Sequence, residues 1–464
     1  MTDPSDRRPN IVLINCDDLG YGDLGCYGST ANRTPAIDAL AGRGIRFDSF
    51  YMASPVCSPS RAAMLTGCYP PRIGFGSLDG IPVLFPGQDL GLPASEVTIA
   101  DVLRAAGYRT QMIGKWHVGD QPGFLPTDHG FDHYLGLPYS NDMGRQVPMD
   151  APADGVEPYY LPPLPLLLDD DVIEQQPDQA GLTERYVTEA VRFLRDARDD
   201  PFFLYLAHMY VHVPIYVQER FARQSTNGPY GAAVESIDWS TSVIVRELEQ
   251  LGLTDDTIVI FTSDNGSRGV DGGSNAPLRG AKTTTWEGGM RVPFIVSWPG
   301  RIAPGQATGE VATAMDLLPT LAGLGGAEVP ADRTIDGRDL SAVLLDGGPS
   351  PHEVFLYYWM DDLEAVRVGR WKLHLAKHGT ERVELYDLDA DPGERDDVLA
   401  AHPDVVAELM VHVEQARSSL GDALTGEPGS DRRPIGRAPH PVPLTTYDPD
   451  HPYYLAEYDL SDRG

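Results

Sequence analysis

The chain has 464 residues, a net charge of −32, a hydrophobic content of 42% and a mean hydropathy of −0.25. That acidity argues against nucleic acid or an anionic membrane surface as a partner, and four cysteines in this length exclude a disulfide scaffold. No apolar stretch of the sequence approaches the roughly 20 residues that span a bilayer.

In chain order, residues 9–18 (PNIVLINCDD) form an apolar run closed by polar residues, the pattern of a buried parallel strand. Similar runs recur at 109–114, 201–207, 257–262 and 292–298, with helical patterns between them at 34–42, 97–106, 182–198 and 233–251. This alternation predicts βαβ units and an α/β fold whose large, mostly parallel sheet is sandwiched by helices. Past residue 325 the character changes. Residues 353–359, 364–375 and 383–388 read as strands joined by short polar turns, and 403–420 as one amphipathic helix, so a smaller C-terminal α+β subdomain with an antiparallel sheet is expected. From residue 425 the chain is rich in Pro, Gly and Asp and predicts an irregular surface tail. The expected boundaries are 9–345, 346–424 and 425–464.

Residues 1–9 are polar, and the apolar run that follows is too short for a signal-peptide core, also behind Arg7-Arg8. The expectation is a cytoplasmic protein with free thiols at Cys16, Cys26 and Cys68. Oligomeric state is not readable, and a homo-oligomer is left open.

Ligands of parallel sheets gather at the carboxyl ends of the strands. Asp17 and Asp18 follow the first strand directly, and Asp264-Asn265-Gly266 follow TIVIFTS. If those strands are neighbours, three carboxylates and an amide oxygen converge, and a hard divalent cation resolves their repulsion. D-N-G is also an ordinary turn signal. In CSPSRAAMLTG, Ser58 and Pro59 open a helix that Gly67 closes. Cys57 then sits at a helix N-terminus, which attracts anions, with Arg61 one turn further in. A lone buried cysteine before an ordinary helix is the plainer alternative. His117, after Trp116, has the plain reading of a core histidine. His208 and His212 share a strand-like segment at spacing four, which can put both on one side. His129 and His133 share the spacing of a zinc pair but lie in a Gly- and Pro-flanked loop. Glu287, before two glycines, reads as structural, and the acidic stretches 169–171 and 389–391 as solvated loops.

Cys57-Ser58-Pro59-Ser60-Arg61 with Leu65-Thr66-Gly67 resembles the full signature of the type I sulfatases. NIVLINCDDLGYGDLGCYG, GKWHVG, HGFDHYLGLPYSNDMG, TSDNG, LRGAKTTTWEGGMRVP and ELYDLDADPGE are similar, in order, to blocks of the arylsulfatase A branch. The resemblance implies an alkaline phosphatase-like fold and a sulfuric ester hydrolase. It implies that Cys57 is converted to formylglycine by a generating enzyme, and that the aldehyde becomes hydrated. It also implies a metal, calcium or alternatively magnesium, held by Asp17, Asp18, Asp264, Asn265 and the converted Cys57. By the same resemblance Arg61 holds the formylglycine hydrate, Lys115 and His117 flank the nucleophile and Ser140 contacts sulfate. His212 and Lys282 lie on the leaving-group side. The expected substrate is a small-molecule sulfate monoester of an aryl, small-alcohol or sugar type. A phosphate diester or phosphonate monoester hydrolase on the same architecture is the alternative activity. The stretch YYLPPLPLLLDDD, residues 159–171, is either an apolar pocket wall or a surface loop packed on the core.

Overall fold

The computed structural model describes residues 8–145 and 161–453. Its main sheet has ten strands. In chain order these are β1 (Asn10–Cys16), β2 (Ile45–Phe47), β3 (Arg109–Gly114), β4 (His133–Gly136), β5 (Pro165–Leu168) and β6 (Asp171–Gln175). They continue with β7 (Phe202–Ala207), β8 (Thr257–Ser263), β9 (Phe294–Ser297) and β10 (Gln306–Thr308). The spatial order is β10-β2-β9-β8-β1-β7-β3-β4-β5-β6.

Strands β8, β1, β7, β3 and β4 run parallel, as their unbroken apolar runs predict. The flanks differ. β9 pairs antiparallel with both β8 and β2, and the β5–β6 hairpin adds an antiparallel edge to β4. The sheet is therefore mixed. A fully buried run such as 292–298 carries no mark of its direction.

Alternate residues of β1 feed two cores. Ile11 and Leu13 pack with α2 (Cys57–Thr66), α3 (Ile99–Ala105) and α6 (Leu317–Gly325), whereas Val12 and Ile14 pack with α1 (Pro35–Gly42), α4 (Gln179–Asp196) and α5 (Gly228–Leu251). Each face of the sheet is thereby covered by helices, and the loops at the strand ends are left to carry chemistry.

A second, antiparallel sheet holds β11 (Val354–Trp359), β12 (Asp362–Val368), β13 (Trp371–Lys377) and β14 (Thr380–Asp387), backed by α7 (Pro403–Leu420). The single strand expected over 364–375 is two strands. Gly369, at φ 53°, turns the chain inside a continuous apolar alternation. After α7 the chain returns to the unit built on the main sheet, where Gly436 and Arg437 pair with Gly91 and Leu90.

Candidate active site

β1 and β8 are neighbours in register, with Cys16 opposite Ser263. Asp17 and Asp18 therefore leave one strand where Asp264 and Asn265 leave the next, and the condition set by the sequence is met. Carboxylate oxygens of Asp17, Asp18 and Asp264 lie within 4.8 Å of one another, all buried. Asp18 takes φ 60°, which turns its side chain back to the strand end, and Asn265 Nδ2 donates to its Oδ1 at 2.7 Å.

The electrostatics of this cluster are unequal. Burial opposes ionisation of Asp17, yet Lys115, His212 and Arg61 hold its carboxyl well below the usual range. Burial and then the Asp17 charge push Asp264 up to about 6. Asn265 Oδ1 is buried and accepts no hydrogen bond among the described residues. Crowded carboxylates beside an orphaned amide oxygen form a hard, all-oxygen donor set that fits calcium or magnesium.

Cys57 is the first residue of α2, its Sγ 3.7 Å from Asp17 Oδ1. Burial pushes the thiol up to about 12, although Lys115 and Lys282 pull the other way. As a thiol, Cys57 is protonated and a poor nucleophile at neutral pH. Arg61, one turn on and fully buried, donates from Nε to Asp264 Oδ2 at 2.8 Å and from Nη1 to the Lys115 carbonyl at 2.7 Å. Ser60 Oγ donates to the Asp264 carbonyl, which ties the helix start to the β8 loop.

Lys115, directly after β3, places Nζ 2.5 Å from Asp17 Oδ2 and 3.2 Å from Ser140 Oγ. Ser140 Oγ lies 3.5 Å from His212 Nε2, and His212 donates from Nδ1 to the Val213 carbonyl at 2.6 Å. Lys282 Nζ donates to Asp18 Oδ2 at 3.0 Å. His117, at φ 68°, donates from Nε2 to the Leu84 carbonyl at 3.0 Å. Burial, with Lys115 beside it, holds His117 well below the usual histidine range, so it is neutral.

The eleven residues to which the resemblance assigns roles thus lie in one connected cluster. Cys57, His117, Ser140, His212 and Lys282 share a cavity of about 310 Å³. Its outer wall is apolar and includes Val56, Val83, Phe85, Met143 and Leu161. Val83 and Phe85 belong to the loop 72–95, which the sequence marks as a variable pocket loop without naming either residue. Of the stretch 159–171, Leu161 lines the cavity, whereas Leu164, Leu166 and Leu167 pack into the two cores, and Tyr159 and Tyr160 lie outside the described residues.

Other histidines fall out of the site. β7 ends at Ala207, so His208 and His212 occupy the loop beyond it rather than a strand. His208 is buried beside Ser240, with Nε2 3.2 Å from Oγ. His129 is buried on the Leu92 carbonyl, while His133 is exposed beside Asp169, so the two form no zinc pair. Glu287 is structural as expected, its carboxylate taking bonds from Tyr51 and Tyr357. All four cysteines are free.

The family described as Sulfatase matches residues 9–327, and that described as N-sulphoglucosamine sulphohydrolase, C-terminal, matches 281–419. The chain belongs to the sulfatase family. It is 41% identical to arylsulfatase A of Homo sapiens, covering 92% of this chain and 91% of the relative. It is 38% identical to the steryl-sulfatase of Mus musculus, over 78% of this chain and 69% of that protein. Among solved structures, PsFucS1 sulfatase from Pseudoalteromonas sp. superposes with a TM-score of 0.78 at 30% identity, over 89% of this chain and 91% of that one. The phosphonate monoester hydrolase of Agrobacterium radiobacter, at 21% identity and a TM-score of 0.61 over 91% and 96%, shares the fold alone. This sulfatase is a sulfuric ester hydrolase.

Proposed function

We propose that the chain hydrolyses a sulfate monoester of an aryl or otherwise apolar alcohol through a formylglycine made from Cys57 by a generating enzyme. The observation that carries this reading is the position of Cys57, at the start of α2 between Asp17, Lys115 and Lys282, with a thiol too basic to attack. A hydrated aldehyde at that position supplies one hydroxyl to attack sulfur and a second whose deprotonation expels sulfate. Asp17, Asp18, Asp264 and Asn265 would hold a calcium or magnesium ion, which would supply Lewis-acid neutralisation of the sulfate charge.

The remaining work falls to the chain's own side chains. Lys115 and Ser140 meet at 3.2 Å and offer positive charge and a hydroxyl to the sulfuryl oxygens. Arg61 fixes the geometry from behind, since its guanidinium bridges Asp264 and the Lys115 main chain. On the leaving-group side, burial and then Lys282 lower the His212 pKa, while Asp18 keeps the Lys282 ammonium charged. Lys282 therefore carries the proton that the departing alcohol needs, and His212, whose unprotonated Nε2 faces Ser140 Oγ at 3.5 Å, can only accept a hydrogen bond. His117, neutral with Nδ1 unoccupied, accepts the proton of the second hydroxyl. The apolar wall of Val83, Phe85 and Leu161 supports an apolar alcohol over a sugar.

The test is the mass of the Cys57 peptide from protein made in its native host, followed by rates on an aryl sulfate and an aryl phosphate diester. Conversion of thiol to aldehyde with the sulfate ester preferred is expected. An unmodified thiol, or a diester preferred by orders of magnitude, would overturn the reading.

A further inference from the structure

The loop that carries Lys282 is held from behind by the second sheet. Lys372 of β13 is fully buried and spends its three donors on Thr285 O, Glu287 Oε1 and Glu394 Oε1, each at 2.9 Å. Glu394 Oε2 accepts from the Glu287 main chain at 2.7 Å, and Thr285 Oγ1 donates to Glu364 Oε2 of β12 at 2.5 Å. Little slack separates these anchors from the site. Thr283, at φ 73°, donates its N–H to the Pro55 carbonyl at 2.9 Å, and the Lys282 N–H bonds Ser267 O at 3.0 Å.

A buried ion cluster is weak support for stability, because apolar groups of similar volume often serve as well. What apolar groups could not do is bind the main chain of this loop. We propose that Lys372 is a positioning residue for Lys282: the second sheet fixes residues 282–287 so that the Lys282 ammonium meets the leaving oxygen. This rests on the leaving-group role proposed for Lys282.

The role separates from bulk stability by its dependence on leaving group. 4-Nitrophenyl sulfate departs without much help, whereas phenyl sulfate, with a more basic oxygen, needs the proton. Lys282→Ala is expected to slow phenyl sulfate about tenfold more than 4-nitrophenyl sulfate. Lys372→Met should reproduce that selectivity in kcat, and should add nothing in a Lys282→Ala background. Glu287→Gln with Lys372→Met removes one buried charge of each sign, and serves if the single variant does not fold. Equal slowing of both substrates by Lys372→Met, multiplying with Lys282→Ala, would overturn the inference and leave Lys282 standing. Unchanged leaving-group dependence in Lys282→Ala would overturn both.

Discussion

His117 donates its Nε2 hydrogen to the Leu84 carbonyl at 3.0 Å and leaves Nδ1 buried without a partner among the described residues. The carbonyl, which can only accept, fixes the tautomer and so makes Nδ1 the lone-pair nitrogen. The φ of 68° at this residue is held by main-chain bonds, among them His117 N–H to Pro138 O at 3.1 Å. A base is thereby kept neutral and aimed without a carboxylate behind it.

His117→Ala should consequently leave metal content unchanged and lower turnover by about 10²- to 10⁴-fold, the usual worth of a positioned base. Sulfate should remain covalently bound to the Cys57 peptide, read by mass spectrometry. In the unaltered enzyme the acid limb of kcat should fall below pH 6.5, since burial lowers the imidazole pKa. Ordinary turnover without an adduct would refute the role.

Removal of one carboxylate from a small donor set tests the cation. Asp264 is pushed up to about 6 by burial and by Asp17, which is the strain a divalent ion relieves. Chelation should lower the unfolding temperature, and calcium or magnesium should restore it by linkage. Asp264→Ala should lose both the metal, by elemental analysis, and the thermal response, with activity down at least about 10²-fold. An unaltered response to added cation would contradict the assignment.

Unconverted protein offers a different check. Burial holds the Cys57 thiol near 12, so protein from a host without the generating enzyme should neither turn over nor be alkylated by iodoacetamide at pH 8 at an ordinary thiol rate. Rapid alkylation confined to Cys57 would show a thiolate and favour direct cysteine chemistry.

Phe85 tests the substrate class. It faces the cavity with Val83 and Leu161, and Phe85→Ala should raise KM for an aryl sulfate about tenfold, a typical loss for one apolar contact. Inhibition by inorganic sulfate, which needs only Lys115, Ser140 and their neighbours, should not change. Equal loss of both would place Phe85 in the structural core instead.

The parts of this molecule that sequence made legible are those written locally. The buried run of β1 and the acidic pair after it identify a strand end, but their meeting with Asp264 depended on a β1–β8 pairing that joins residues about 250 positions apart. The family motifs supplied that pairing where periodicity could not. The β5–β6 hairpin was invisible because 165–175 mixes an apolar run with three aspartates, and the antiparallel course of β9 leaves no trace in a run buried on both faces. Lys372 looked like one more charged residue on a strand, and only its placement against Thr285 and Glu287 distinguishes it.

His208 shows how a histidine outside the chemistry affects the whole fold. Burial alone lowers its pKa from 6.5 to about 4. The folded state therefore binds its proton less readily than the unfolded chain. Between pH 6.5 and about 4 the unfolded state holds the extra proton, so stability is complete above 6.5 and declines as pH falls through that window. The difference amounts to at most roughly 3–4 kcal/mol at about 1.4 kcal/mol per unit. His208→Gln can keep a bond to Ser240 without a titrating group. Its denaturant midpoint should fall less steeply than that of the unaltered protein between pH 6.5 and 4, and parallel slopes would show that His208 is protonated as readily folded as unfolded.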